Sequence, residues 1–207
     1  YAGVAEAFVD PSYTVYGKTG GWWQRATADI VLDRTWQYQH LIHGEGRQDD
    51  KLHLNLNTVL KGGWGVGGGY FFESFGYDSS LFASYRLLVP NGPGVDTVAY
   101  TGQPTIPNGE YVIQVSTPTF RHFDANGFWL EGHDENYPEW ASGDLRLLQG
   151  AVNWRPNEKL RIGATYYWAQ VDRRTDHSLN NVGRIPRLTI EYQLSRPIFL
   201  RVLGPYV

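Results

Sequence analysis

Residues 51–60 read KLHLNLNTVL and alternate between apolar and polar side chains. Leu52, Leu54, Leu56 and Leu60 fall on one side of the alternation, and His53, Asn55 and Asn57 fall on the other. Because successive side chains of a β-strand point to opposite faces, this pattern predicts a strand with one apolar and one polar face. A run of about ten such residues is also the length that a tilted strand needs to cross a bilayer.

The same alternation recurs elsewhere along the chain, and glycines often take the polar positions. The segments are 27–38, 64–72, 159–172 and 187–195. In the first of them Arg34 falls on the apolar side, which suggests a position near a membrane interface. No amphipathic helix of useful length is predicted. The sequence therefore predicts an all-β, antiparallel fold whose strands have one face toward lipid and one toward a lumen.

The predicted connections are of two kinds. Tight turns are expected at 61–63, 155–158 and 195–197, and long connections at 39–50, 76–109 and 172–186. Outer-membrane barrels place short turns at one end and long loops at the other. We therefore predict a single domain over residues 1–207, an antiparallel transmembrane β-barrel of roughly ten strands or a late portion of a larger barrel.

Composition agrees with a membrane barrel and excludes other classes of protein. The chain contains 8 Trp and 14 Tyr, residues that form girdles at membrane interfaces. Its net charge of -3 gives no electrostatic footprint for nucleic acid. Without cysteine it has no disulfide or thiolate metal site. A mean hydropathy of -0.41 is compatible with a barrel, because half of each strand and every loop are polar.

Two other functional classes remain open on sequence grounds. An aromatic-rich soluble β-sandwich, secreted and binding or cleaving polysaccharide, has much the same composition. A structural subunit of a cell-surface assembly is the third possibility, and it would require edge strands that pair between chains. Dependence on detergent would separate the first of these alternatives from the barrel.

Segment 131–139, EGHDENYPE, concentrates acidic side chains. Paired carboxylates can hydrolyse glycosides and clustered carboxylates can bind calcium, but we expect a solvated acidic loop beside a strand end. His40 and His43 are three residues apart without the H-E-x-x-H pattern, which favours two ordinary loop histidines. We therefore predict no catalytic centre, no metal site and no cofactor.

The polar positions of the alternating strands are the candidate ligand-binding residues. Side chains that line a lumen select what passes or binds through charge and hydrogen bonding. The residues predicted to face the lumen in this way are His53, Asn55, Asn57, Arg161, Glu191 and Gln193.

Several segments also resemble a known family. The Trp-Arg-Pro turn at 154–156, RLTIEYQ at 187–193 and the short turn before IFLRVLGPYV carry the resemblance, together with YFFESFGYD at 70–78. They are similar to the outer-membrane β-barrel domain of unknown function that follows a family-9 carbohydrate-binding-like domain in bacterial envelope proteins. The similarity covers residues 27–207.

The resemblance implies a location and a class of ligand. It implies a protein of the bacterial outer membrane that acts in envelope transport or binding, with oligosaccharide as the ligand and the lipid bilayer as a partner. Family members carry an N-terminal sugar-binding-like module and barrels that continue further. Other envelope proteins or the rest of a longer chain are therefore further expected partners. No catalytic residue is established for this part of the family.

Overall fold

A computed structural model describes residues 3–76, 84–99, 105–137, 139–195 and 197–205. They form thirteen strands and one short helix. The strands are β1 Val4–Val9, β2 Ser12–Tyr16, β3 Trp23–Gln37, β4 Asp49–Leu60, β5 Gly65–Gly76, β6 Arg86–Asn91, β7 Gly94–Ala99, β8 Thr105–Ser116, β9 Phe123–Asn136, β10 Ala141–Trp154, β11 Leu160–Arg173, β12 Leu179–Ser195 and β13 Ile198–Pro205.

Eleven strands form one antiparallel sheet, and β6 and β7 form a separate two-stranded sheet. The large sheet is a meander in the order β1-β3-β4-β5-β8-β9-β10-β11-β12-β13, with β2 also paired to β3. The all-β, antiparallel prediction is confirmed. Roughly ten strands are expected from the sequence, and the described residues form more. The first strand is split at Pro11, which has no N–H to donate. The connection after β5 also carries the β6–β7 hairpin.

The hydrogen-bonded ladder is open at its two edges. Within the described residues β13 pairs with β12, and β1 and β2 pair with β3, but no pairing joins the first strands to the last. Counting β1 and β2 as one position, the meander has ten positions, so its two edge strands run antiparallel to each other. A closed barrel therefore stays a prediction.

The connections fall at two ends of the sheet. The connections after β2, β4, β8, β10 and β12 lie at one end, the turn end, and those after β3, β5, β9 and β11 lie at the other, the loop end. The predicted turns lie at the turn end as expected, although Arg196 itself lies outside the described residues. The predicted long loop 172–186 is wrong, because β11 continues to Arg173 and β12 begins at Leu179. The alternation of β12 is hidden there by Pro186 and Gly183.

Local chemistry explains the tight turns. Gly62 and Gly63 adopt φ values of 85° and 86°, a region that residues with a Cβ rarely enter. The turn is closed by a hydrogen bond from the Leu60 N–H to the Trp64 carbonyl at 2.7 Å. In the turn after β10, the Asn157 side chain accepts hydrogen bonds from the backbone N–H groups of Lys159 and Leu160, both at 2.9 Å.

A single short helix, α1 Tyr38–His43, lies in the connection after β3 and ends at Gly44 with φ 70°. His43 Nδ1 lies 2.8 Å from the Gln39 carbonyl oxygen, and His40 lies 3.4 Å from Glu45. Both histidines are therefore engaged locally, in a helix rather than the expected loop. Among the described residues no helix is long and apolar enough to cross a membrane.

The strand register sorts the side chains of the large sheet onto two faces. Paired residues share a face, so Ile30, Leu54, Tyr70 and Tyr111 form one continuous row across β3, β4, β5 and β8. We call the side that carries this row the apolar face. It also carries Ala28, Leu56, Ile113, Trp129, Leu148, Val152, Ala164, Trp168, Leu188 and Ile190.

The opposite side, the polar face, carries most of the hydrophilic side chains of the sheet. They include Asp29, Asp33, Lys51, His53, Asn55, Asn57, Glu73, Glu110, Gln114, Gln149, Arg161, Arg187, Glu191 and Gln193. Toward β12 and β13 this face is mixed, because Ile185, Phe199 and Leu203 also lie on it and are exposed.

The sheet encloses very little hydrophobic core. In the described part of the chain only Ile106, Val112 and Leu130 are buried apolar residues. The solvent-accessible surface is 14296 Å², whereas a compact soluble protein of 23.5 kDa exposes roughly 9,800 Å². Most of the apolar side chains therefore lie on a surface that the described chain does not cover.

Candidate functional site

All six residues predicted to face the lumen lie on the polar face. His53, Asn55 and Asn57 follow β4, whereas Arg161 lies on β11, and Glu191 and Gln193 lie on β12. They therefore belong to two separate regions of the face, and the structure does not bring them together. Whether they bind a ligand stays a prediction.

The three β4 residues are tied to neighbouring strands. His53 Nε2 lies 2.5 Å from a Glu73 carboxylate oxygen, and the imidazole ring stacks on Phe71 with centroids 4.1 Å apart. The Asn55 amide donates a hydrogen bond to Asp29 at 2.7 Å. Because these side chains already have partners in the protein, they brace the sheet more than they offer free groups to a ligand.

Glycines on β5 make room for this network. Asn57 accepts a hydrogen bond from the Gln114 amide of β8 at 2.6 Å, across the intervening strand β5. A Cβ at Gly67 would collide with Asn57 and would lie 2.8 Å from Gln114 Nε2. A Cβ at Gly69 would lie 2.5 Å from Asn55 Oδ1. The glycines therefore let amide side chains lie flat over β5, as the close approach of a neighbouring element requires.

Near the loop end, four charged residues and one asparagine form a row across five strands. Register pairs Asp33 with Lys51, Lys51 with Glu73, and Glu73 with Asn108. Asp134 lies one residue beyond the Gly109–His133 pair and so continues the row onto β9. We call these five residues the acidic row. The row holds three carboxylates and one lysine, and Lys51 forms its ion pair with Asp49 of the same strand at 3.6 Å.

Two buried side chains at the acidic row have polar atoms without a hydrogen-bond partner among the described residues, and Oδ1 of Asp33 is a further such atom. Asn108 is 8% exposed and Glu110 is 5% exposed. No described residue hydrogen-bonds either polar atom of the Asn108 side chain, nor Oε1 of Glu110. An unpaired buried polar group costs about 1–3 kcal/mol, so these atoms need a partner such as water. Sequence reasoning missed both residues, because Asn108 lies in a Pro-Asn-Gly segment that is typical of a turn.

Electrostatics at the loop end favour the neutral form of Glu135. Where β9 ends, burial first, and then the hydrogen bond with Asp134 and its negative charge, raise the pKa of Glu135 to about 8. Burial and the charges of Glu135, Asp134, Asp49 and Glu73 raise the pKa of Tyr137 to about 12. At neutral pH we therefore expect Glu135 to be largely protonated.

A second charged region lies toward the turn end on β11, β12 and β13. Register places Arg161 opposite Glu191, and Glu191 opposite Arg201, whose Nε lies 3.0 Å from the Glu191 carboxylate. These residues line a cavity of about 620 Å³ together with Arg187 and Arg155. We call this cavity the arginine groove. Arg187 and Arg201 were not among the predicted site residues.

The acidic segment 131–139 is not the expected loop. Glu131 to Glu135 belong to β9, since the paired strand β10 continues the ladder to Asn136. Glu131 lies on the apolar face near Arg146 (3.5 Å) and accepts a hydrogen bond from Tyr111, whereas Asp134 lies on the polar face. These two carboxylates therefore cannot converge on one glycosidic bond.

No group of three or more His, Asp or Glu side chains in the described ranges is placed to hold a metal ion.

Comparison of the chain with family models, with curated proteins and with solved structures found no match. The family resemblance drawn from the sequence therefore stays a prediction.

Proposed function

We propose that this chain forms the wall of a bacterial outer-membrane β-barrel, alone or as a late portion of a larger one. The apolar face contacts lipid, and the polar face lines a lumen through which small polar molecules pass or in which they bind. Oligosaccharide is the ligand that the family resemblance suggests. The polar face selects by charge and hydrogen bonding and does no chemistry of its own.

The observation that carries this proposal is the exposed apolar face. Leu56 is 55% exposed and Leu188 is 45% exposed, although both lie well inside long strands. A soluble sheet buries such side chains against a second layer. The described strands form one large sheet and one small hairpin and provide no such layer. If these side chains contact the hydrocarbon of a bilayer, their exposure no longer carries the free-energy cost of apolar surface in water.

The height of the apolar face fits a bilayer. On β10 the face is uncharged from Trp154 until Arg146, eight residues away, and on β12 from Tyr192 until Arg184. At about 3.3 Å per residue this is roughly 26 Å along the strand, or roughly 20 Å when the strand is tilted by about 40°. A transmembrane barrel presents an apolar band about 25 Å tall.

Aromatic side chains border the band at both ends. Near the loop end Trp129 and Trp168 stack with centroids 6.0 Å apart. At the turn end Phe120 packs against Trp64 at 6.1 Å and Phe123 at 4.7 Å. Two such girdles are typical of proteins whose amphipathic rings sit at the two membrane interfaces.

At the loop end of the apolar face, ion pairs lie beyond the aromatic residues. Arg34, which breaks the alternation of β3, pairs with Asp50 at 3.0 Å, and Arg47 pairs with the same carboxylate at 2.6 Å. On the next strands Arg146 lies 3.5 Å from Glu131 and 3.8 Å from Asp172. These charged residues lie on the loop-end side of the uncharged band, where water and headgroups would solvate them.

One alternative function is supported by a specific feature. Strand β13 has no second neighbour among the described strands, and Leu200 and Val202 on one face and Phe199 and Leu203 on the other are all more than half exposed. Such an edge can pair with another strand, as a structural subunit of a surface assembly would require. The same edge can equally close a barrel.

Vesicle insertion tests the proposal. Protein refolded in the presence of phosphatidylcholine vesicles should float with them and resist extraction by alkaline carbonate, because its apolar band lies in hydrocarbon. Refolding without lipid or detergent should give aggregates. A monodisperse, folded protein in plain buffer, or one that carbonate releases from vesicles, would favour the soluble alternative.

A further inference from the structure

The arginine groove is built around a hollow in the polar face. Gly163 on β11 pairs with Thr189 on β12, and these two residues form its floor. Gly163 has no side chain, and a Cβ there would lie 3.4 Å from Asn153 Oδ1 and 3.9 Å from Thr189 Cβ, which are ordinary contacts. The hollow is therefore not filled by the protein and has space for part of a small molecule.

Arginines lie on either side of this floor along the strands. Arg161 is two residues from Gly163 on β11, and Arg187 is two residues from Thr189 on β12, in the opposite direction along the sheet. The side chain of an arginine is long enough to reach over a neighbouring residue on the same face. Thr165 and Asn153 add a hydroxyl and an amide to the same lining.

The charges of the groove do not cancel. Arg201 is paired with Glu191, and Arg155 is paired with Asp124. Arg161 and Arg187 have no ion pair or side-chain hydrogen bond with any residue that the structure describes. The groove therefore carries two uncompensated positive charges on a concave surface. Concave surfaces lined by one sign of charge concentrate counter-ions.

Guanidinium groups match oxyanions in particular. Each presents several N–H donors in a planar fork that can bind two oxygens of a phosphate or carboxylate at once. Hydroxyl and amide donors beside the arginines suit the neutral polar part of the same molecule. Neutral sugars alone would leave the two arginines without a counter-charge.

We propose that the arginine groove binds an oxyanion, phosphate or carboxylate, carried by a small polar molecule. Arg161 and Arg187 bind the anionic group over Gly163, and Thr165, Thr189 and Asn153 contact the remainder. The inference deepens the proposed function, on which it rests for the access of solutes to the polar face, by giving the ligand a negative charge.

Calorimetric titration of the full chain in an uncharged detergent at low salt tests the site. Inorganic phosphate and glucuronate should each bind saturably, and glucose should not. Arg161→Gln and Arg187→Gln should each weaken phosphate binding at least tenfold. Gly163→Leu should abolish it, because the leucine side chain fills the hollow without colliding with the backbone. Saturation by phosphate alone or by glucuronate alone identifies which oxyanion the groove accepts.

The matched control is Arg184→Gln, which removes an exposed arginine from the same strand but from the apolar face. It should leave phosphate binding unchanged. No saturable binding in the unmodified protein, an equal loss in Arg184→Gln, or full binding in Gly163→Leu would overturn the site. Near-UV circular dichroism verifies the fold of each variant. Two arginine variants are measured so that the site is still tested if one of them does not fold. Because binding is measured in detergent, failed vesicle insertion would refute the proposed function separately.

Discussion

Leu188→Arg should destabilise the vesicle-inserted protein by about 2–4 kcal/mol. Leu188 lies on the apolar face of β12, midway between the charged Arg184 and the aromatic Tyr192, and pairs with Ala164 and Gly204. A charge at this depth would have to be buried in hydrocarbon, because four residues of tilted strand separate it from either end of the uncharged band, roughly 10 Å, which exceeds the reach of an arginine side chain. Urea titration of protein inserted in vesicles measures the effect.

Gln149→Arg is the matched control. Gln149 is exposed on the polar face and pairs with Phe128 and Tyr167. An arginine there would remain solvated, so we expect a change below about 0.5 kcal/mol. Equal, small effects at both positions would mean that water covers both faces, which would contradict the assignment of the apolar face to lipid.

Gly132→Ala should cost about 3 kcal/mol or more, because overpacking forces the backbone to move. A Cβ at Gly132 would overlap the carbonyl oxygen of Gly109 and would lie 2.6 Å from Glu110 Cα. Both obstacles are backbone atoms of the adjacent strand β8, so no side-chain rotation can relieve the contact. Denaturant unfolding in detergent micelles, followed by tryptophan fluorescence, measures this loss.

Gly183→Ala supplies the comparison, since Gly183 also lies on the polar face, within β12. No atom lies within 4 Å of a Cβ built there. We expect this variant to be within about 1 kcal/mol of the parent, and slightly more stable if the loss of unfolded-state freedom dominates. A Gly132→Ala protein as stable as Gly183→Ala would show that β8 and β9 are further apart than the structure has them.

The two-faced strands could be predicted from the sequence because the alternation is a local property. In β4 each leucine and each polar side chain specifies its own face, and no knowledge of the neighbouring strand is needed. The turn after β4 was equally predictable, since Gly62 and Gly63 adopt positive φ values that few other residues tolerate.

Features that depend on register could not be predicted. Arg34 interrupts the alternation of β3, and only the pairing of β3 with β4 shows that Asp50 lies beside it. The start of β12 was missed because Pro186 and Gly183 resemble turn residues, although Pro186 lies just past Arg187–Pro205, the last described pair of β12 with β13, where β12 has one described neighbour and a proline is tolerated. The acidic segment was assigned to a loop for a related reason, since charges on both faces of β9 conceal its periodicity.

The candidate site was predicted in part. Alternation identified Arg161 and Glu191, but it gave no reason to join Arg187 and Arg201 to them. The four residues meet only because three strands pair in one register. The buried Asn108 and Glu110 were likewise invisible, because burial on a polar face depends on which strands flank β8.

Spin-label accessibility along β4 tests the central claim most directly. The chain contains 0 Cys, so single cysteines at positions 52 to 57 can each be labelled without background. In phosphatidylcholine vesicles, labels at 52, 54 and 56 should collide with dissolved oxygen, which partitions into hydrocarbon. Labels at 53, 55 and 57 should collide instead with a water-soluble nickel complex. Nickel accessibility that is equally high at all six positions would contradict the account.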